Sequence, residues 1–197
     1  MSITYECILL GTFEETVLDK VRNKLRVTCE AYDELDMRDV VLTVRAGPNT
    51  TNGRMVLSKE GESSDTNWKA VRVFRAEPST RYNPQVLIRS TIQLPLDTPS
   101  AETALTFVTS LGYNRSHEYS KRGWVYTCNK VKVSVYQLYN ADGQLVHDQN
   151  VWMTEVRSQP VIPDQSAVVD PLKVAINSCL KLKSTLQPFV HLKRVEH

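Results

Sequence analysis

Apolar and polar positions in this chain alternate more often than they recur every three or four residues, which predicts an architecture built mainly of strands. Gln85 to Leu94 is the clearest case. Val86, Ile88, Ser90, Ile92 and Leu94 share one face, with Arg89, Thr91 and Gln93 mostly on the other, as a half-buried strand of an antiparallel sheet requires. Ile3 to Leu10 is an apolar, β-branched run that stops at Gly11. Further strands are expected over Asp39–Ala46, Arg54–Leu57, Trp68–Phe74 and Val146–Val156. From Tyr113 to Tyr139 two or three strands are expected, among them Gly123–Cys128 and Val131–Tyr136, joined at Asn129-Lys130 with hairpin spacing. Phe189 to Val195 reads as a closing strand that pairs with the sheet.

Three segments carry the helical period instead. From Glu14 the apolar residues Val17, Leu18, Val21, Leu25 and Cys29 form one stripe, with Glu14, Glu15 and Asp19 in the first turns, where the helix dipole favours anions. Thr98-Pro99 supplies a cap and first residue for a helix with Leu105, Val108 and Leu111 on its apolar side and Gly112 as its stop. Asp170-Pro171 does the same for a third helix bearing Leu172, Ala175, Ile176, Cys179 and Leu180, which ends before Pro188. The sum is about eight to ten short strands, consecutive rather than interleaved with helices, plus three flanking helices. A mainly β, α+β fold follows, in which an antiparallel sheet closes, or nearly closes, into a barrel that removes exposed edges.

A length of 197 residues predicts one domain over 1–197, with a flexible loop around 48–67 whose best candidate for a mobile tip is Gly61–Asn67. No apolar run reaches the roughly 18 residues of a membrane span, and the first residues lack a basic leader region, so a protein that is neither membrane-bound nor secreted is expected. The four cysteines, Cys7, Cys29, Cys128 and Cys179, lie far apart without zinc spacing and are expected to be reduced and mostly buried. Twenty-four Lys and Arg against 22 Asp and Glu leave a net charge of +2, too balanced for a chain whose main partner is a nucleic-acid backbone.

Signatures of catalysis are missing: there is no phosphate-binding G-x-x-x-x-G-K-[ST], no G-x-G-x-x-G, no G-x-S-x-G and no H-E-x-x-H. His117-Glu118 lacks the second histidine and reads as surface. Asp33, Glu34, Asp36 and Asp39 read as a solvated run after the first helix. A metal site in a barrel lumen needs carboxylates two apart on a strand, so that both point inward. The expected strands carry single acids only, Glu6, Glu118 and Glu155. No catalytic residue, metal ligand or cofactor site is therefore assigned. Arg45, Arg54, Arg72, Arg75, Arg89, Lys130 and Lys132 read as outward polar positions rather than an anion site. Lys181, Lys183, Lys193 and Arg194 form at most a local basic patch. Among the strand aromatics, Trp68, Trp124, Tyr126 and Trp152 are the candidate anchors for a protein partner, since Trp and Tyr dominate interface hot spots.

Three stretches, in order, carry a resemblance. They are Tyr5-Glu6-Cys7-Ile8-Leu9-Leu10-Gly11-Thr12-Phe13 with its following helix; Phe107-Val108-Thr109-Ser110-Leu111-Gly112-Tyr113 with His117-Glu118-Tyr119, Lys121, Gly123 and Val131–Tyr136; and Pro188-Phe189-Val190-His191-Leu192. Together they resemble Mediator complex subunit 18, of the Mediator head module. The resemblance implies a β-barrel related to the triphosphate tunnel of fungal RNA triphosphatases, which are metal-dependent enzymes, with the metal carboxylates lost here. It implies a nuclear, noncatalytic coactivator subunit in RNA polymerase II transcription. Its partners would be Mediator subunit 20, as a barrel-to-barrel heterodimer, and the C-terminal helix of Mediator subunit 8, without membrane or direct nucleic-acid contact. The competing readings are a metal-dependent triphosphate tunnel phosphohydrolase and, behind it, an RNA-binding barrel.

Overall fold

A strand edge is a row of unpaired N–H and C=O groups, and in this protein each of the eight strands has a neighbour on both sides. The computed structural model describes residues 3–44, 54–61, 67–164 and 166–196. The strands are β1 (Thr4–Glu14), β2 (Ala31–Val44), β3 (Arg54–Glu60), β4 (Lys69–Ala76), β5 (Leu87–Pro95), β6 (Tyr113–Cys128), β7 (Val131–Asn140) and β8 (Val151–Ser158). They close a barrel in the order β1-β5-β4-β3-β2-β6-β7-β8, every pairing antiparallel, with β8 returning to β1. Three α-helices flank it: α1 (Leu18–Thr28), after a single 3-10 turn, α2 (Ala101–Ser110) and α3 (Pro171–Leu186). None of the described helices is long and apolar enough to cross a membrane.

The helix signals are placed nearly as the sequence predicts. Asp170 caps α3, its carboxylate accepting from the Leu172 N–H at 2.9 Å with Pro171 in the first turn. At α2 the cap moves to Ser100, whose hydroxyl accepts from the Thr103 N–H. Thr98 and Pro99 are otherwise engaged: their carbonyls accept from the backbone N–H and the indole Nε1 of Trp68 at 3.0 and 3.1 Å, tying α2 to the start of β4.

Several strand boundaries differ from expectation for identifiable reasons. Gly11 does not end β1. A Cβ there would lie 2.8 Å from Val190 and 2.9 Å from the His191 carbonyl, so the missing side chain is what lets the C-terminal segment pack across the strand. That segment is not a full strand: Leu10 and Lys193 exchange two hydrogen bonds at 3.0 and 2.9 Å, just beyond Ile8, where β5 stops covering the β1 edge. β2 begins at Ala31 rather than Asp39, so Asp33, Glu34 and Asp36 sit on a strand paired with β6 and not in a loop. Likewise 113–128 is one long strand. β8 starts at Val151 because residues 148–151 turn, the Val151 N–H donating to the Asp148 carbonyl. Within the expected loop around 48–67, residues 54–60 form β3; residues 48–53 and 62–66 lie outside the described residues.

The cysteine expectation holds for half the set. Cys7 and Cys179 are free thiols with no exposure, and burial pushes the Cys7 pKa up to about 12 and that of Cys179 higher still. Cys29 and Cys128 are instead joined by a disulfide, with their Cα atoms 4.4 Å apart. Pairing of β2 with β6 places Ala31 opposite Thr127, and this carries the two cysteines together across 99 residues of sequence.

The apolar core lies mostly outside the barrel wall. One cluster joins Cys7, Leu9, Ile88, Val133 and Val156 on the outer faces of the strands to Leu18, Val21 and Leu25 of α1 and to Leu172, Ile176 and Cys179 of α3. Another joins Leu42, Leu57 and Ala70 to Ala104 and Val108 of α2. A smaller cluster, Leu35, Val125 and Tyr136, faces inward, and Ile8, Val73 and Leu87 also line the lumen. Because the apolar faces of the strands turn toward the helices, the opposite faces have to fill the lumen.

Candidate functional site

The lumen encloses a cavity of about 530 Å³. Its wall carries six basic side chains, Arg54, Lys69, Arg89, Lys121, Lys132 and Arg157, and three acids, Asp39, Glu60 and Glu155; Glu6 lies buried beside Arg89 and Arg157. The sequence-based placement of Arg54, Arg89 and Lys132 as outward polar positions is thus corrected. They occupy the polar face of alternating strands, and in this barrel that face is the inside. Arg72, stacked 4.9 Å over Phe74, stays on the expected exterior. Glu118 also lies outside, between Arg38 and Arg115 at 2.5 and 2.6 Å.

Inside, the charges interlock. Glu155 accepts from Arg157 at 2.8 Å and lies 3.5 Å from Lys121; Lys121 reaches Asp39 at 3.7 Å; Glu6 is 3.7 Å from Arg89 and 3.8 Å from Arg157. Burial pushes the Glu155 carboxyl up, but Arg157, Lys121 and Arg89 outweigh it and hold its pKa at about 2. Burial, then the neighbouring Arg157 charge, lowers Arg89 to about 10, despite Glu6 and Glu155. The phenols of Tyr119 and Tyr136 are raised, first by burial and then by the Asp39 and Glu155 charges around them. Ser58 donates to Asp39 at 2.5 Å, and Gln93 to Glu6 at 3.2 Å.

These acids do not fit a divalent cation. Each of Glu6, Asp39 and Glu155 is already matched to an ammonium or guanidinium, and the three come from different strands rather than as neighbours two apart. Among the described residues no group of three His, Cys, Asp or Glu converges as metal ligands would.

The four aromatic candidates divide. Trp68, Tyr126 and Trp152 are 2%, 0% and 8% exposed and belong to the packed clusters. Trp152 donates its indole N–H to the Glu15 carboxylate. Trp124 is only partly buried. It stacks on Trp152 with ring centres 5.3 Å apart and is covered by the Arg22 guanidinium at 3.7 Å. Other exposed apolar groups, none of them among the candidate anchors, are Val27 and Tyr32 near α1, Phe107 on α2, Leu111 at its C-terminal cap, expected on the apolar side of that helix but 55% exposed, and Ile162, Val168, Val169 and Val174 around the entry to α3. Arg194, assigned to a basic patch, is spent internally, donating to the carbonyls of Glu77 and Val86 at 2.7 and 3.0 Å.

Comparison with known proteins gives a consistent outcome. The family model described as Med18 protein matches residues 15–196. Among solved structures, a chain of the Schizosaccharomyces pombe Mediator head module superposes with a TM-score of 0.76 at 22% identity, over 98% of this chain and 100% of that one. A protein of Pyrococcus horikoshii OT3 gives a TM-score of 0.63 at 11% identity, over 97% of this chain and 94% of that one. The Mimivirus capping enzyme triphosphatase gives 0.56 at 9% identity, over 95% and 90%. At these identities the likenesses show a shared barrel fold.

Proposed function

We propose, from the premise that this chain belongs to the Med18 protein family, that it is a noncatalytic interaction subunit of the Mediator head module, acting in the nucleus in regulated RNA polymerase II transcription. The observation that carries this reading is the family match over residues 15–196, supported by the fold shared with a chain of the fission-yeast head module. The same membership argues against the phosphohydrolase alternative, because the capping-enzyme triphosphatase shares the barrel alone, and the lumen acids are paired with cations instead of gathered for a metal.

The mechanism is one of presenting surfaces. One side of the barrel would meet Mediator subunit 20, and an apolar strip would take the C-terminal helix of Mediator subunit 8 in the helix-in-groove mode. Ile162, Val168, Val169 and Val174 offer the apolar contact such a helix needs. Of the four aromatic candidates, only the partly exposed Trp124 would reach a partner, with Trp152 stacked on it and Arg22 over its ring. Tyr126 and Trp152 hold the wall beneath and behind it, and Trp68 stiffens the wall under α2. Co-expression of the full chain with Mediator subunits 20 and 8, followed by size exclusion, tests the proposal. A co-eluting complex is expected; a chain that stays monomeric under every pairing overturns it.

A further inference from the structure

Cys29 and Cys128 join two elements that already pack together by other means. α1 buries Leu18, Val21 and Leu25 against the barrel, and the β2–β6 ladder begins just beyond the bridge, at Ala31 and Thr127. The Glu30 N–H donates to the Thr127 carbonyl at 2.9 Å, and the Cys29 N–H closes the helix on the Leu25 carbonyl at 2.8 Å. Backbone bonds and buried side chains therefore hold the two cysteines within bridging reach, bonded or not. The four cysteines are of two kinds. Cys7 and Cys179 are sealed, with thiols that burial keeps protonated, so the reactive thiolate is withheld. Cys29 and Cys128 stand at the margin of the same apolar cluster and are partly exposed. A bridge that solvent reaches is open to an attacking thiolate.

The bridge also sits where α1 has least else to hold it. Leu25 is the last buried residue of the helix, and Arg26, Val27 and Thr28 are exposed. Beyond Leu25 the other ties are the Glu30–Thr127 bond and Arg26, which lies 5.0 Å over the Tyr32 ring, itself stacked on Tyr126 at 5.9 Å. We propose that Cys29 and Cys128 form a reversible dithiol–disulfide couple, exchanged with small thiols of the glutathione class, that sets how firmly the last turn of α1 is fastened to β6. In reduction, a glutathione thiolate attacks one sulfur of the bridge; the S–S bond breaks, a mixed disulfide forms, and the other cysteine leaves as a thiolate and takes a proton. A second glutathione thiolate attacks the glutathione sulfur of the mixed disulfide. The chain then holds two thiols, and the two electrons come from two glutathiones, released as glutathione disulfide. Oxidation by glutathione disulfide runs the same steps in reverse. In the reduced state residues 26–30 lose their covalent tie and open locally, while the buried half of α1 stays docked. The couple is built into the chain itself and needs no partner.

The test equilibrates the full chain, without oxygen, in glutathione buffers of stepped reduced-to-oxidised ratio. Samples are quenched in acid, unfolded, alkylated and measured by mass spectrometry. The expected result is a shift from two labelled cysteines to four, the added labels mapping to Cys29 and Cys128, with the same midpoint approached from either direction. Hydrogen exchange on the same samples reads the consequence: residues 26–30 should exchange at least about fivefold faster in the reduced chain, with 18–25 unchanged. Cys29→Ser and Cys128→Ser should each show the reduced pattern at every ratio, and the unaltered chain carries the test if either variant fails to fold. A bridge that persists at the most reducing ratio, or a pair that never oxidises, overturns the proposal. So does global unfolding on reduction, or exchange at 26–30 that ignores the redox state. None of these outcomes bears on complex formation with Mediator subunits.

Discussion

Substituting Glu155 by Gln removes the central negative charge of the lumen while keeping the size of the side chain. In the folded protein Glu155 lies 2.8 Å from Arg157 and 3.5 Å from Lys121, and its pKa stands at about 2 against an ordinary 4.5. The folded-state pKa is depressed, so the ionised carboxylate contributes stability above pH 4.5, and that contribution is lost as the pH falls toward 2. A displacement of this size corresponds to about 3 kcal/mol at neutral pH. The same figure is reasonable on structural grounds, because breaking a buried pair leaves Arg157 and Lys121 with only Glu6 and Asp39, all at 3.7 to 3.8 Å. Urea unfolding of both proteins, followed by tryptophan fluorescence, measures the difference. The gap should be widest at neutral pH and close as acid protonates Glu155 in the parent chain. Equal stabilities at neutral pH, or a gap that persists unchanged at about pH 2, would refute the charge network as described.

Two further outcomes follow from other parts of the structure. The Tyr126 hydroxyl is fully buried without a hydrogen-bond partner among the described residues, so Tyr126→Phe should leave stability unchanged or raise it by about 1 kcal/mol, whereas a clear loss in thermal unfolding would reveal a partner for that oxygen. The Cys29–Cys128 bridge spans 99 residues, so its reduction, or Cys128→Ser, should lower stability by up to about 4 to 5 kcal/mol on the chain-entropy account, read as a drop in the denaturation midpoint with reductant; an unmoved midpoint would show that the bridge adds nothing to the fold.

Family membership and the barrel explain why the chain can carry so much charge inside without being an enzyme. In an enzyme lumen the acids are free to hold a cation and the bases to hold substrate. Here Arg157, Lys121 and Arg89 engage Glu155, Asp39 and Glu6, so the acids serve as counter-ions that fix the wall. A wall fixed in this way, with helices packed on its outside, is consistent with the interaction role proposed above.

Much of the architecture was legible in the residues themselves. Consecutive alternating runs favour antiparallel strands, too many edges favour closure, and Asp170-Pro171 starts α3, because a side-chain acceptor and a missing N–H satisfy the first turn locally. Those are short-range effects. What tertiary structure alone decided was which face of each strand is the inside. A period of two sorts Arg89 from Ile88, but both faces of a helix-clad barrel are enclosed, and the apolar set goes to whichever side the helices cover. Here α1, α2 and α3 bring their apolar stripes to the exterior, so the charged set lines the lumen, where Glu155 pairs with Arg157 and Lys121. Cys29 and Cys128 illustrate the same limit: their meeting depends on the register of β2 against β6, and register belongs to the assembled sheet.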